Sequence, residues 1–322
     1  MQLPLLNLFS KVLNLNLGSK KLDELNKLLK DPIFGAKNIK DEEYLISLKN
    51  NASKMWSVLV YGLSFAVIFW SMKPLMKRLQ DPNAITTPSY QIMDSKSWKG
   101  FCFNWAVEVG PIFWAGYGHC FLDYMIVMYY YQIVTQLRII NNNLENLVND
   151  VSNTTASTRY VFKDEIDPNI QKRFIHYVNR YEKVTWYVNE VFSKAISFQL
   201  FSSSCCACVG IFRISHVSPL SVPFVFLLMY FILLYTQVFM YCYFGELILN
   251  ESDSIATSVY LSDWVSLSPK LRRQLLLAMG RWSQPLKPTV SYVVPLTLTT
   301  FVTIARSTYT LFAALKTTNN YL

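Results

Sequence analysis

Charge is scarce in this chain. Asp, Glu, Lys and Arg make up 16% of its 322 residues, while 52% are hydrophobic. Soluble domains carry about a quarter charged residues. With a mean hydropathy of +0.21, the shortage excludes an ordinary soluble domain and points to a membrane protein. Histidine is rarer still, with three, and none has Cys, Asp or Glu at ligand spacing, so no metal site is expected. The ten glycines form no phosphate-cradling loop, and no Ser or Cys stands in a nucleophile's setting. No catalytic residue, no cofactor and no enzyme are therefore expected. The absence of an internal repeat argues against a transporter of paired halves. No basic stretch precedes the apolar residues 1–10 and Lys11 follows at once, so no cleavable signal peptide is expected.

The six cysteines all lie in apolar stretches. Cys205, Cys206 and Cys208 have the look of a metal cluster, but no further ligand completes it. They read as small buried hydrophobes, with no disulfide framework. The net charge of +9 does not imply nucleic acid, because membrane proteins concentrate Lys and Arg in their cytoplasmic loops.

What the chain does have is long apolar runs and 15% aromatic residues. Residues 1–17 are apolar but broken by Pro4, Asn7, Lys11, Asn14 and Asn16, and read as too short and too polar to span. Residues 19–30 read as an amphipathic helix with Leu22, Leu25, Leu28 and Leu29 on one face. Five spans follow: A at 55–72, B at 100–137, C at 195–212, D at 220–245 and E at 288–315. Trp56 and Trp70 place the ends of A at interface depth. Span B is expected to run on as a helix through Ile140, Leu144 and Leu147 to Val151. Asp167–Pro168 and Ser268–Pro269 each read as a cap followed by proline at the first helical position. The fold class is thus an all-α polytopic transmembrane bundle. Its parts are a cytoplasmic segment 1–54, spans A and B at 55–137 around an outer loop 73–99, and cytoplasmic helices at 138–194. Spans C and D at 195–245, an anchor segment at 246–287 and span E with a short outer tail at 288–322 complete it.

Of the 30 Lys and Arg, 22 fall in the N-terminal, B–C and D–E segments, 7 on the other side and one, Arg306, inside span E. This count predicts a cytoplasmic N-terminus and an extracellular C-terminus. The sequons at Asn51, Asn153 and Asn250 then face the cytoplasm and are expected to stay unglycosylated. Glu108 and Asp123 are the only acids inside spans, and such groups usually face a bundle interior or water. Arg213 is one basic group that Asp123 could pair with. His119 reads as a buried, hydrogen-bonded histidine.

The last third of the chain carries an ordered series of marks. They are Tyr241 with Phe244–Gly245, Ser254, Tyr260, Trp264, Arg272–Arg273, Met279, Arg281, Pro285, Phe301, Ser307-x-Tyr309 and Phe312. No single mark is specific, but the series resembles the insect odorant receptor family, from about Leu17 onward and most closely after Tyr241. The family's cytoplasmic N-terminus agrees with the charge count and is opposite to that of G-protein-coupled receptors. Thr308–Tyr309 would also suit the sister gustatory family. Ala313–Ala314–Leu315, where that branch has Gln-Phe, favours the odorant branch.

The resemblance implies an odorant-specific subunit of a ligand-gated cation channel in the plasma membrane of an olfactory sensory neuron. It implies assembly with a shared coreceptor subunit into a heterotetramer, a hydrophobic volatile ligand, and seven spans. The five here would be the third to seventh, leaving a non-conducting truncated isoform or fragment as the alternative. The implied pocket lies among spans A to D. Tyr61, Phe65 and Phe69 share a face of A, Trp114, Tyr117 and Phe121 a face of B, and Tyr230 and Leu234 a face of D. Each set also fits ordinary packing. Span E would line the ion path, with Thr308 and Phe312 on one face and Lys316 at the outer mouth. The helices at 170–194 and 269–282 would form an intracellular anchor.

Overall fold

The computed structural model describes residues 8, 9, 11–13, 16, 19–36, 38–80, 92–94, 97–148, 167–190, 193–215, 217, 218, 221–290 and 294–319. Among these the chain is helical apart from short turns and one small hairpin. Helix α1, Ser19–Leu29, matches the predicted amphipathic segment. Asp31 then caps a 3-10 turn, Pro32–Phe34, its side chain accepting from the Ile33 N–H at 3.0 Å.

Helix α2, Ile39–Gln80, takes in span A and much more. At 42 residues it is about 60 Å long. It passes through Pro74, so the expected loop at 73–99 begins only after Gln80. The extension is held from outside, because Arg78 lies over the Phe101 ring at 5.2 Å. Helix α3, Trp98–Glu145, starts two residues before span B and ends short of Val151. Residues 149–166, including the expected linker, lie outside the described residues. Helix α4, Asp167–Glu190, begins at the predicted Asp-Pro, and α5, Ser193–Ser215, contains span C.

Helix α6, Val222–Leu261, differs most from expectation. It opens as span D does, with Ser221 accepting from the Phe224 N–H at 3.3 Å. It does not stop at Gly245. That glycine serves close packing, since a Cβ there would lie 2.2 Å from the Leu296 carbonyl oxygen. Helix α7, Pro269–Trp282, follows the predicted Ser268–Pro269 start.

Span E is also corrected. Its first residues are extended rather than helical: β1, Thr289–Val290, pairs antiparallel with β2, Val294–Pro295. β-branched residues favour extended backbone, and the residue before a proline is pushed out of the helical region. The Leu296 N–H then donates to the Pro288 carbonyl at 2.8 Å. Helix α8, Leu298–Asn319, begins only after this hairpin. Its first N–H, on Leu298, donates to Glu246 Oε2 of α6 at 3.2 Å. A carboxylate at a helix N-terminus is favourable.

One apolar core runs between α3 and α6 and is closed by α4 and α7. Ile126, Val134, Leu137, Ile140 and Leu144 of α3 meet Tyr241, Ile248, Ile255 and Val259 of α6. Trp282 of α7 seals one side, its ring 5.7 Å from Tyr181 and 6.1 Å from Phe174. Away from this core many large apolar side chains turn outward, among them Val58 and Ile68 of α2, Phe201 of α5 and Ile232 of α6. Among the described residues three helices are long and apolar enough to cross a membrane: α2, the Ile196–Ile214 stretch of α5 and Pro223–Leu261 in α6. Helices α3 and α8, read as spans B and E, are more polar. α3 carries Asn104, Glu108, His119 and Asp123, and α8 carries Thr299, Thr300, Thr303, Arg306 and Ser307.

Candidate functional site

Helices α2 and α3 pack along an aromatic lane. Trp56 meets Phe121 edge-on at 6.0 Å and Tyr124 at 4.7 Å. Phe113 lies 4.4 Å from Tyr117 and Phe65 stacks on Phe69 at 6.5 Å. The Tyr117 hydroxyl is hydrogen-bonded to Ser64 Oγ across the two helices. Gly116 faces Leu63 of α2, where an added Cβ would make ordinary contact at 3.5 Å.

The expected pocket residues divide. Tyr61, Phe65 and Trp114 point away from the rest of the chain, at 75%, 60% and 81% exposure. Phe121 is half out at 51%, and Phe69 and Tyr117 are half-buried. Tyr230 and Leu234 sit elsewhere, in a cluster with Cys206, Ala207 and Phe231 between α5 and α6. One α6 residue that reaches α2 is Leu233, whose Cδ2 lies 4.0 Å from the position of a Cβ on Gly62.

Beside the aromatic lane lies a buried ionic cluster. Lys11 Nζ donates to Asp123 Oδ1 and lies 3.2 Å from His119 Nε2. The Tyr241 hydroxyl donates to the same Asp123 oxygen at 2.5 Å. Three parts of the chain are thereby tied: the N-terminal helical residues, α3 and α6. Asp123 is therefore paired with Lys11, not Arg213. His119 Nε2 also faces the second Asp123 oxygen, Oδ2, at 3.6 Å. The segment around Lys11, read as too polar to span, packs into the molecule instead, with Leu8 meeting α3 at Gly118.

On α8, Thr308 turns inward. Thr308 is 3% exposed and donates to the Ile304 carbonyl at 2.8 Å. Phe312 and Lys316 have side chains outside the described residues. The open face carries Thr299, Thr303, Arg306, Thr310, Ala313 and Thr317. Their spacing of three and four keeps them in one stripe. Thr303, Thr310 and Thr317 donate to the carbonyls of Thr299, Arg306 and Ala313 at 2.8, 3.0 and 2.8 Å. Their oxygens are left to face outward as acceptors.

Where α3, α4 and the 3-10 turn meet, Arg180 is buried. Its Nε donates to Gln136 Oε1 at 2.8 Å and its Nη2 to the Phe34 carbonyl at 3.3 Å. Burial pulls its guanidinium down to about 10. Asp31, paired with Lys183 at 2.5 Å, has its carboxyl held below the usual range, first by that hydrogen bond and then by the Ile33 N–H.

A family model of the seven-transmembrane odorant receptors matches residues 3–309. The chain belongs to this family. As an odorant receptor it sits among receptors rather than enzymes, and the match begins well before Leu17. It is similar to odorant receptor 19a of Drosophila melanogaster, 30% identical over 118 residues, which is 37% of this chain and 30% of that protein. Odorant receptor 10 of Aedes albopictus is 28% identical over 149 residues, 46% of this chain and 38% of its own length. Putative odorant receptor 92a of Drosophila melanogaster is 24% identical over 206 residues, 63% and 47%. The chain thus spans less than half the length of these relatives. The fold resembles that of the olfactory receptor OR5 from Machilis hrabei in complex with eugenol, with a TM-score of 0.79 at 15% identity, covering 98% of this chain and 79% of that one.

In this odorant receptor, sequence reasoning missed Lys11, Trp56, Ser64 and the hydroxyl stripe of α8. Lys11 had a visible signal: it is a lone charge in an apolar segment, as Asp123 is in its own, and such groups tend to find each other. The threonine stripe was visible too, as a three-and-four repeat. Ser64 carried no signal, because nothing in its own segment shows that Tyr117 lies opposite.

Proposed function

We propose that this odorant receptor is an odorant-specific subunit of a ligand-gated cation channel. The observation that carries the reading is the family match over residues 3–309. In this reading all five expected spans cross the plasma membrane of an olfactory sensory neuron, α3 and α8 included. The N-terminus is cytoplasmic and the C-terminus outside. A hydrophobic volatile ligand sits among α2, α3, α5 and α6, with Tyr61, Phe65, Phe69, Trp114, Tyr117, Phe121, Tyr230 and Leu234 as its candidate contacts. The chain assembles with the shared coreceptor into a heterotetramer, with α8 of each subunit toward the axis.

The route from ligand to ion path runs through α6. Its Leu233 reaches Gly62 of α2, and Tyr241 bonds Asp123. Its Phe239 and Tyr235 meet Phe301 of α8 at 5.5 and 6.3 Å. Glu246 holds the N-terminus of α8. A ligand that shifts α6 against α3 therefore biases α8, and only a ligand with different affinity for the closed and open arrangements moves the equilibrium. The stripe of Thr299, Thr303, Arg306, Thr310 and Thr317 supports the open side of α8, rather than Thr308, as the face on the ion path.

The test is the current evoked by an odorant panel in cells expressing the chain with a coreceptor subunit. Odorant-dependent cation current is the expected result. Silence with surface expression demonstrated would overturn the channel-subunit reading.

A further inference from the structure

Ser64 and Tyr117 have one hydroxyl proton each, and the geometry fixes where both go. Ser64 Oγ lies 2.6 Å from the Val60 carbonyl oxygen. A carbonyl has no proton, so Ser64 donates there, with normal O–H···O geometry. A serine has one O–H. The second contact of Ser64 Oγ is the Tyr117 hydroxyl, and in that bond Tyr117 must be the donor. Both protons are therefore spent inside the α2–α3 contact. The phenol oxygen keeps acceptor capacity and has nothing left to donate.

Tyr117 sits on the aromatic lane, 4.4 Å from Phe113 and one helical turn from Phe121, which meets Trp56. Both members of the pair are half-buried. In such apolar surroundings a hydrogen bond weighs more than in water, and an unmet polar group costs more. A pair that only accepts matches a ligand that brings a donor. An alcohol or phenol satisfies it. An ether, ester or ketone has to break the Tyr117–Ser64 bond or leave its own oxygen unpaired.

Resting on the ligand-site reading above, we infer that the Ser64–Tyr117 pair selects hydroxyl-bearing odorants over isosteric acceptor-only ones. Tyr117 is the contact and Ser64 its positioning residue, holding the phenol proton away from the ligand.

The experiment compares matched alcohol and methyl-ether pairs on straight-chain, branched and phenyl skeletons. It reads half-maximal concentrations for current in cells carrying the chain and a coreceptor subunit. One net hydrogen bond predicts an alcohol preference of roughly three- to tenfold. Tyr117→Phe is expected to bring the ratio to about one, whatever it does to the size of the current. Ser64→Ala frees the phenol proton, so the ether of each pair gains relative to its alcohol. A merely structural role would lower both responses together and leave their ratio unchanged. Currents with no alcohol preference in the parent chain, or a preference that survives Tyr117→Phe, overturn this inference and leave the receptor reading intact. No current to any compound overturns both.

Discussion

Lys11 Nζ and Asp123 Oδ1 are joined across 112 positions of sequence, with side chains 1% and 7% exposed. Each is a charge in a largely apolar segment, and each answers the other's charge. Removing one partner of such a pair strands the other, at a cost of about 3–5 kcal/mol. Lys11→Met and Asp123→Leu are each expected to lower the melting temperature of the purified receptor strongly, while the double variant falls by much less than the two losses added. A thermal-shift double-mutant cycle checks this. Simple additivity would show that the pair is not coupled.

Gly245 and Gly280 make opposite demands of the same substitution. A Cβ on Gly245 meets the Leu296 carbonyl oxygen at 2.2 Å and Leu296 Cβ at 2.7 Å, and backbone cannot step aside cheaply. Gly245→Ala is expected to destabilise by about 1–3 kcal/mol, as overpacking does. It should also loosen α6 from α8 and so reduce odorant-evoked current. A Cβ on Gly280 meets nothing within 4 Å. There alanine simply gains helix propensity, by up to about 1 kcal/mol. Matched unfolding curves of the two variants decide the point, and equal effects would contradict the packing role given to Gly245.

The helices were legible because their signals are local. Ser268–Pro269 and Asp167–Pro168 marked true helix starts, and residues 19–30 showed their apolar stripe. The failures share one cause, which is that the deciding partner lies far away in sequence. Gly245 reads as a helix stop until Leu296 is placed against it. Pro288 reads as a helix start until Val294 and Pro295 pair back on Thr289 and Val290. For the candidate site, spacing put Tyr61 with Phe65, and Trp114 with Phe121, on one helix face. Spacing tells which residues share a face but not what that face meets, so it could not show that Tyr230 and Leu234 turn to α5.

The Asp31–Lys183 pair gives a pH signature. Asp31 is held below its ordinary value by Lys183 and the Ile33 N–H, so its folded state favours the charged form. Its contribution is fully present above the usual carboxylate range, near 4, and is lost as pH falls through the depressed value. Protection of the 3-10 turn from proteolysis is therefore expected to be flat from neutral pH to about 5 and to fall only at lower pH. Lys183→Met should move that fall upward. An unchanged midpoint in the variant would dissociate the two groups.

The stripe on α8 makes the sharpest prediction about the ion path. Thr303 and Thr310 are exposed, while Thr308, between them in sequence, is buried against the receptor's own helices. If the open face lines the path, Thr303→Cys and Thr310→Cys are the positions a water-soluble, positively charged thiol reagent reaches. Each adds a fixed cation beside the one Arg306 already supplies, so cation current should fall after modification and recover on reduction. Thr308→Cys should stay untouched, because nothing water-borne reaches it. Parallel treatment of the parent chain measures the background from its six free cysteines. Arg306→Gln then tests the charge itself, since removing a fixed cation from a cation path raises current and shifts selectivity toward divalent ions. Modification at Thr308→Cys with silence at Thr303→Cys and Thr310→Cys would place the opposite face of α8 on the path.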